Sequence, residues 1–203
     1  MRDFDGIIRQ LLDEWNSAEE ALKQAETVQG EVVAPSINEL RYAGRKVVEA
    51  LALPDDETDQ ALRLLDDAVF DCMRARHDAI DAITAFITEK IDDLTARLGV
   101  DVVLTCYPDM PRLVAELGRV QDAIVRSREN RLDRDAIYAT LMATDLPKIY
   151  AMYQALRRNE GLMRSLAEKH ERERRRNRMA FWAGTVLAVL GVLVGLAGLV
   201  WRP

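Results

Sequence analysis

The chain has 203 residues, of which 49% are hydrophobic and 31% are charged, with a formal net charge of −6. Apart from a C-terminal apolar segment, this length fits one domain with a real core. Its two cysteines, Cys72 and Cys106, exclude a disulfide-rich secreted scaffold, and neither has a CxxC or CxxH partner that would indicate a metal site. No GxxxxGK[ST], GxGxxG, HExxH, GxSxG or EF-hand pattern occurs, so the sequence indicates no cofactor and favours a protein that is not an enzyme.

Two helices are predicted before residue 54. Apolar residues recur at helical spacing through residues 4–28, which predicts a first helix that Gly30 ends. The EVVAP segment that follows is predicted to be extended, because proline disfavours helix in the residue before it. Ser36 and Glu39 form an S-x-x-E capping box, so a second helix is predicted from Ser36 to about Leu53.

The middle of the chain predicts one long helix and two shorter ones. No proline or glycine interrupts the apolar 3-4 repeat from about Asp59 to Leu98, and Gly99 then ends the helix. The strand-like run Val102 to Cys106 is predicted to be a connecting loop, since no partner strand exists. Further helices are predicted from Pro111 to about Ser127 and over residues 133–144.

A last helix is predicted to begin near Asp145 and to continue into the apolar segment, with Gly161 as its one weak point. The predicted fold is all-α: an elongated antiparallel helical bundle followed by one C-terminal transmembrane helix. The predicted divisions are a cytoplasmic bundle at 1–168, a basic juxtamembrane segment at 169–178 and the transmembrane helix at 179–201.

The apolar segment carries no charge, and Thr185 is its single hydroxyl. A helix of this length spans roughly 35 Å, which is enough for the core of a bilayer with modest tilt. Trp182 and Trp201 lie near its two ends, where indole rings favour the headgroup zone. A buried core helix is the disfavoured alternative, because such helices rarely exceed about 18 uncharged residues.

Six bases and two acids precede this span, and only Arg202 follows it. The positive-inside rule therefore predicts a single-pass tail anchor in the inner or plasma membrane, with the N-terminus in the cytoplasm. The bases are expected to contact anionic lipid. Residues 1–168 carry a formal charge of −11, which argues against a nucleic acid partner. The six bases are Lys169, Arg172, Arg174, Arg175, Arg176 and Arg178.

Small residues follow one another at steps of four and three along the span. Such a stripe lets helices approach closely in lipid, so it predicts self-association into a homo-oligomer. The alternative is that glycine and alanine are simply common in membrane helices. The stripe consists of Gly184, Ala188, Gly191, Gly195 and Gly198.

A group of polar residues on the second and third helices is the candidate for chemistry in the bundle. Facing one another, an arginine, a tyrosine and a histidine could bind an anion or carry out acid–base chemistry. No nucleophile accompanies them, so the sequence favours an intrahelical salt-bridged face on the third helix, with Arg76 on the apolar seam paired to an acid such as Glu39. The group comprises Glu39, Arg41, Tyr42, Arg74, Arg76, His77 and Asp78. The charged face comprises Asp67, Asp71, Arg74, Asp78 and Asp81.

The pairing of NELRYAGRKVVEAL with RARHDAIDAI, within residues ~36–98, resembles the HEPN-like all-α domains of bacterial conflict and defence systems. Ribonucleases of that family carry an arginine and a histidine with four to six residues between them. Upstream of His77 those positions hold Phe70, Asp71 and Cys72. The resemblance therefore implies a non-catalytic member that acts as an adaptor, sensor or scaffold in defence signalling.

Arg164 and His170 do have five residues between them, but they lie in the juxtamembrane helix, outside the resembling region. They are the candidates for the catalytic pair of such a ribonuclease, and short motifs of this kind often arise by chance.

Together, these features predict a tail-anchored membrane protein whose bundle is a non-enzymatic interaction, adaptor or sensor module. Its predicted partners are the lipid bilayer, a second copy of the chain and a cytoplasmic protein. One alternative is an effector that disrupts membranes by clustering its transmembrane helix, although the apolar span offers no polar residue to line a pore. The other is a membrane-tethered HEPN-type ribonuclease.

Overall fold

The computed structural model describes residues 4–130 and 133–200, and it describes side chains as far as residue 191. Within these ranges the chain is helical with no strand, so the all-α prediction is confirmed. The elements are α1 Asp5–Gln29, α2 Ala34–Ala52, α3 Thr58–Leu98, α4 Val100–Cys106, α5 Met110–Glu129, α6 Arg134–Thr140, a π-helical turn Leu141–Asp145, α7 Leu146–Arg158 and α8 Glu160–Val200.

Two helix ends lie where the sequence predicts them, and both are glycines with positive φ. Gly30 has φ of 77° and donates its N–H to the carbonyl of Glu26, and Gly99 has φ of 86° and donates to the carbonyl of Thr95. A side chain would strain the backbone at both positions, which is why glycine ends these helices.

The start of α2 differs from the prediction, because Ser36 is not its cap. The helix begins at Ala34 and accommodates Pro35 in its first turn, where the missing N–H is not needed. Ser36 is fully buried instead, and its hydroxyl donates to the carbonyl of Ala75 on α3 at 2.7 Å. The predicted capping box is wrong, and the serine joins two helices.

The run from Val102 to Cys106 is a helix, so its assignment as a loop is wrong. The seven residues of α4 place Val102 and Val103 in the core while Leu104 is partly exposed. Burial of one side of this turn outweighs the β preference of its valines, since tertiary packing overrides local propensity.

The predicted helix over 133–144 and the next one form a nearly continuous run, in which a π-helical turn joins α6 to α7. The break that follows is at Asn159 and not at Gly161. The side chain of Asn159 donates to the carbonyl of Ala155 at 3.0 Å, and its backbone N–H donates to the carbonyl of Leu156. These bonds end α7, and α8 begins at the next residue.

The long helix α3 is the centre of the bundle, and two apolar clusters lie along it. Its first half, including Leu65 and Cys72, packs with α1 and α2. Its second half, including Ile83 and Ile87, packs with the C-terminal part of α1 and with α4–α8. Polar side chains separate the clusters, and we call this group the polar layer. The polar layer consists of Glu14, Arg76, His77, Asp135 and Tyr138.

Candidate functional site

The polar layer is built around Arg76, which is only 6% exposed. Its Nη1 lies 2.8 Å from Oε2 of Glu14 and donates to the hydroxyl of Ser17, both on α1. Its Nη2 lies 3.8 Å from Oδ1 of Asp135 on α6. The expectation that Arg76 is a seam arginine paired to an acid is confirmed, but the acid is Glu14 and not Glu39.

His77 is next to Arg76 and stacks on Tyr138, with the ring centroids 3.8 Å apart. Burial, together with the positive charges of Arg76 and Arg134, lowers the pKa of His77 to about 3, so the imidazole is neutral at physiological pH. Its Nε2 lies 3.2 Å from Oδ1 of Asp135 but makes no hydrogen bond there.

A cleft of about 360 Å³ opens beside His77, and we call it the polar cleft. It contains four residues of the predicted polar group, from α2 and α3. Its remaining lining comes from a later position on α3 and from α5 and α6. The polar cleft is lined by Glu39, Arg74, His77, Asp78, Asp81, Arg128, Arg134 and Tyr138.

One wall of the polar cleft is fully bonded. The hydroxyl of Tyr138 donates to Oδ1 of Asp81 at 2.8 Å, and Arg128 donates to Oδ2 of the same carboxylate at 2.9 Å. The guanidinium of Arg134 donates to the carbonyl of Ser127. These contacts hold α5 and α6 against α3.

Two other carboxylates of the polar cleft have little compensation for their charge. Oε2 of Glu39 is buried without a hydrogen bond, and its nearest cation, Arg74, is 4.0 Å away. Asp78 has no ion pair or hydrogen bond to any described residue. Burial raises the pKa of Glu39, and the charge of Asp71 adds to this effect; burial also raises the pKa of Asp78, with a further contribution from Asp81. Both carboxylates would therefore gain from a positive charge placed between them.

The charged face of α3 is bonded mainly to other helices, so its description as intrahelical is wrong. Asp71 is buried and lies 2.8 Å from Nζ of Lys46 on α2, whereas its intrahelical contact with Arg74 is longer, at 3.8 Å. Asp81 bonds to α5 and α6, as described above. Helix packing decides these partners, because each acid faces a different neighbour.

Arg41 and Tyr42 are not part of the polar cleft. Tyr42 is exposed and lines a neighbouring cleft on α2, and the guanidinium of Arg41 lies 5.3 Å from the centre of its ring. The predicted grouping of an arginine, a tyrosine and a histidine is therefore not formed with Tyr42, which lies apart from His77. The tyrosine at the polar cleft is Tyr138, which the sequence did not single out.

Two side chains in this part of the body are potential nucleophiles: Tyr138 lines the polar cleft, and Cys72 lies outside it. Burial raises the pKa of Cys72 to about 12, and burial with the bond to Asp81 raises the pKa of Tyr138, so neither provides an anionic nucleophile at neutral pH. Among the described residues, no three histidine, cysteine, aspartate or glutamate side chains are grouped to hold a metal ion.

Arg164 and His170 are both exposed on α8 and do not converge. Nη2 of Arg164 pairs with Oε1 of Glu160 one turn earlier, at 2.5 Å. Six positions turn a helix by about 600°, which places the two side chains about 120° apart around its axis. His170 lines a different cleft, together with Arg97 and Arg174.

The six basic residues of 169–178 are all exposed on α8. Arg172 and Arg175 pair with glutamates one turn earlier, at 3.4 Å and 3.0 Å. The other four make no ion pair within the part of the chain that the structure describes, so their charge is available to a partner. These four are Lys169, Arg174, Arg176 and Arg178.

The apolar part of α8 is equally exposed. Met179, Phe181 and Trp182 are 61–74% exposed. A Cβ added at Gly184 or Gly191 would meet no atom within 4 Å, so the stripe is open at these positions.

In the described residues, no helix provides a stretch long and apolar enough to cross a membrane. The predicted span of 179–201 extends past residue 191, where the description of side chains ends. Gly195 and Gly198 lie in the part of α8 where surroundings are not described, and Trp201 and Arg202 lie outside the described residues.

Comparison of the chain with protein-family models, with curated proteins and with solved structures gives no match. The function is therefore inferred from the geometry and the charge of the molecule.

Proposed function

We propose that this protein is anchored in a membrane by α8 and that its helical body is a non-enzymatic interaction module, an adaptor or sensor at the cytoplasmic face. The observation that carries the proposal is the course of α8. The helix leaves the bundle after Ala167, and every described side chain from residue 168 to residue 191 is exposed. An isolated apolar helix is costly in water, at about 25 cal/mol per Å² of apolar surface, so this surface must be covered.

The order of residues on α8 favours a bilayer as the cover. Basic side chains come first, Phe181 and Trp182 follow, and then aliphatic residues continue. Headgroups, interface and hydrocarbon occur in the same order from the cytoplasm inwards. Residues 1–168 carry −11 and would be repelled by anionic lipid, so the basic segment would hold the body close without laying it on the surface.

An interaction role fits the body better than catalysis. The polar cleft offers charged groups in a fixed arrangement, and the pKa of the hydroxyl in its lining, that of Tyr138, is raised and not lowered. The separation of Arg164 and His170 around α8 disfavours a ribonuclease that uses this pair. The resemblance of residues ~36–98 to HEPN-like domains supports an adaptor or sensor in bacterial defence signalling.

Fractionation of bacterial cells tests the anchor. Full-length protein should remain in the membrane pellet after an alkaline carbonate wash, and a chain of residues 1–178 should be in the supernatant. An N-terminal tag should be protected from protease in spheroplasts and digested after lysis. Release of the full-length chain by carbonate would overturn the proposal.

We further propose that α8 self-associates through its stripe of small residues. Two pairs of substitutions test this. Gly191→Leu with Gly195→Leu should weaken an in-membrane dimer signal, because close helix approach needs small side chains. Val186→Leu with Val189→Leu is the matched control, since both positions lie off the stripe. An unchanged signal in the glycine variant would remove the stripe as the dimer interface. Loss of membrane potential with the full-length chain alone would favour the membrane-disrupting effector.

A further inference from the structure

The polar cleft has a ligand preference that the anchor does not explain. We propose that it binds one cationic side chain, an arginine or a lysine, presented by the protein partner of the body. This inference rests on the proposed interaction role and names the chemistry of the partner at one position.

The acceptors for such a cation are already in place. Glu39 and Asp78 line the same cleft from α2 and α3; the cation nearest to Glu39 is Arg74, whose Nη1 lies 4.0 Å from its Oε2, and Asp78 makes no ion pair among the described residues. Oε2 of Glu39 is buried without a hydrogen bond, which is a costly arrangement that an incoming N–H donor would relieve. A charge-assisted bond to either carboxylate is among the stronger hydrogen bonds available to a protein.

The arginines of the cleft do not form a matching anion site. Arg128 is bonded to Asp81, and Arg134 is bonded to the carbonyl of Ser127. The guanidinium of Arg74 lies over the ring of Phe70, 4.7 Å from its centre, and is turned partly towards Asp71. Arg128 and Arg134 are therefore already bonded within the chain, and Arg74 is the one arginine of the cleft with only long contacts to its acids.

His77 supports the same preference. It is 9% exposed, it lines the cleft, and its Nε2 makes no hydrogen bond. The ring is stacked on Tyr138 and neutral, so it adds no positive charge that would repel an incoming cation. Aromatic and imidazole rings also suit the flat face of a guanidinium.

The size of the cleft fits one side chain. A volume of about 360 Å³ is near the lower end of the range for small-molecule sites, which is about 300–1,000 Å³. A single residue on the surface of a partner protein fits, and the acidic charge of the body would steer a basic partner towards it.

The test uses the full-length chain in nanodiscs of neutral phosphatidylcholine, with N-acetyl-arginine methylamide as the probe. N-acetyl-citrulline methylamide has nearly the same shape without the charge and is the matched control ligand. Saturation-transfer NMR should detect binding of the arginine probe and no binding of the citrulline probe. Binding of the arginine probe should weaken as the pH falls from 7 to 5, because the carboxylates take up protons.

Glu39→Gln and Asp78→Asn should each weaken binding of the arginine probe by about tenfold, whereas Glu20→Gln, at an exposed carboxylate on α1, should not change it. Circular dichroism of each variant reports whether it remains folded. Equal binding of both probes, no binding of the arginine probe, or binding of inorganic phosphate in its place would overturn the inference.

The experiments distinguish failure of the anchor proposal from failure of the cleft proposal. If carbonate releases the full-length chain from membranes, the probe experiment is repeated in detergent solution. Probe binding there supports the cleft even when the anchor fails. Conversely, a firmly anchored chain that does not bind the arginine probe overturns the cleft alone.

Discussion

Replacing Arg76 with methionine is expected to destabilise the body by about 3 kcal/mol, because it leaves buried acids without their cation. The guanidinium is 6% exposed and lies 2.8 Å from the carboxylate of Glu14. Removing one partner of a buried ion pair costs about 3–5 kcal/mol, and the partial exposure of Glu14, at 21%, places this pair at the lower end. In a protein of this size the melting temperature should fall by about 6–12 °C.

A second substitution separates the ion pair from the packing of the arginine stem. Glu14→Gln in the Arg76→Met background removes the uncompensated charge, so it should restore part of the lost stability. The two single variants and the double variant form a cycle with an expected coupling of at least about 1 kcal/mol. Thermal melting of the full-length chain in detergent, followed by circular dichroism, measures all three.

Arg63→Met is the control, because Arg63 is an exposed arginine on the same helix. It should change stability by no more than about 0.5 kcal/mol. The reasoning fails if Arg76→Met melts within about 1 °C of Arg63→Met, or if the substitutions at positions 14 and 76 are additive. Either result would mean that apolar packing alone holds α1 on α3 at this level.

Three further predictions concern other parts of the bundle. Gly44→Ala should raise stability by about 1 kcal/mol in the same melting assay, because alanine favours helix. The added Cβ would lie 3.6 Å from Trp15, which is an ordinary contact, so destabilisation would contradict this prediction. The pKa of His77 is about 3 when folded and about 6.5 when unfolded, so the unfolded chain binds the extra proton as the pH falls. Between pH 7 and pH 5 the wild type should therefore lose about 2 kcal/mol relative to His77→Gln, and parallel pH profiles would refute the assignment. In the native protein a maleimide should label Cys106 before Cys72, which is buried and has a raised pKa; equal rates would contradict its burial.

The helices themselves could be predicted from local signals, because short stretches of sequence contain both the apolar periodicity and the two glycines that end helices. Gly30 and Gly99 illustrate this, since their positive φ needs no information from elsewhere in the chain. Ser36 and the Val102–Cys106 run illustrate the opposite case. The serine bonds to Ala75, 39 residues away, and Val102 and Val103 pack into a core that distant helices form. Such contacts decide local structure without a local signal.

The polar cleft could be predicted only on its α2 and α3 side. Arg74 and Arg76 are two positions apart on α3, so their side chains point about 160° apart around the helix axis and face different neighbours. This spacing alone indicates that Glu39 is available to only one of them, and the structure pairs Arg74 with Glu39 and Arg76 with Glu14. Which helix faces Arg76 depends on the packing order, and no sequence period reports that order.

The polar layer also accounts for the alignment of α1 with α3. The contact between these helices is rich in alanine, and small side chains give little shape to fix their position along the axis. A slide by one turn, about 5.4 Å, would separate Arg76 from Glu14 and leave their charges unpaired. On α1 and α3, the alanines without exposed surface are Ala18, Ala21, Ala25, Ala61, Ala68, Ala75 and Ala79. Because His77 follows Arg76 and both face Asp135, the alignment that pairs the arginine also places the histidine beside α6, where the polar cleft forms.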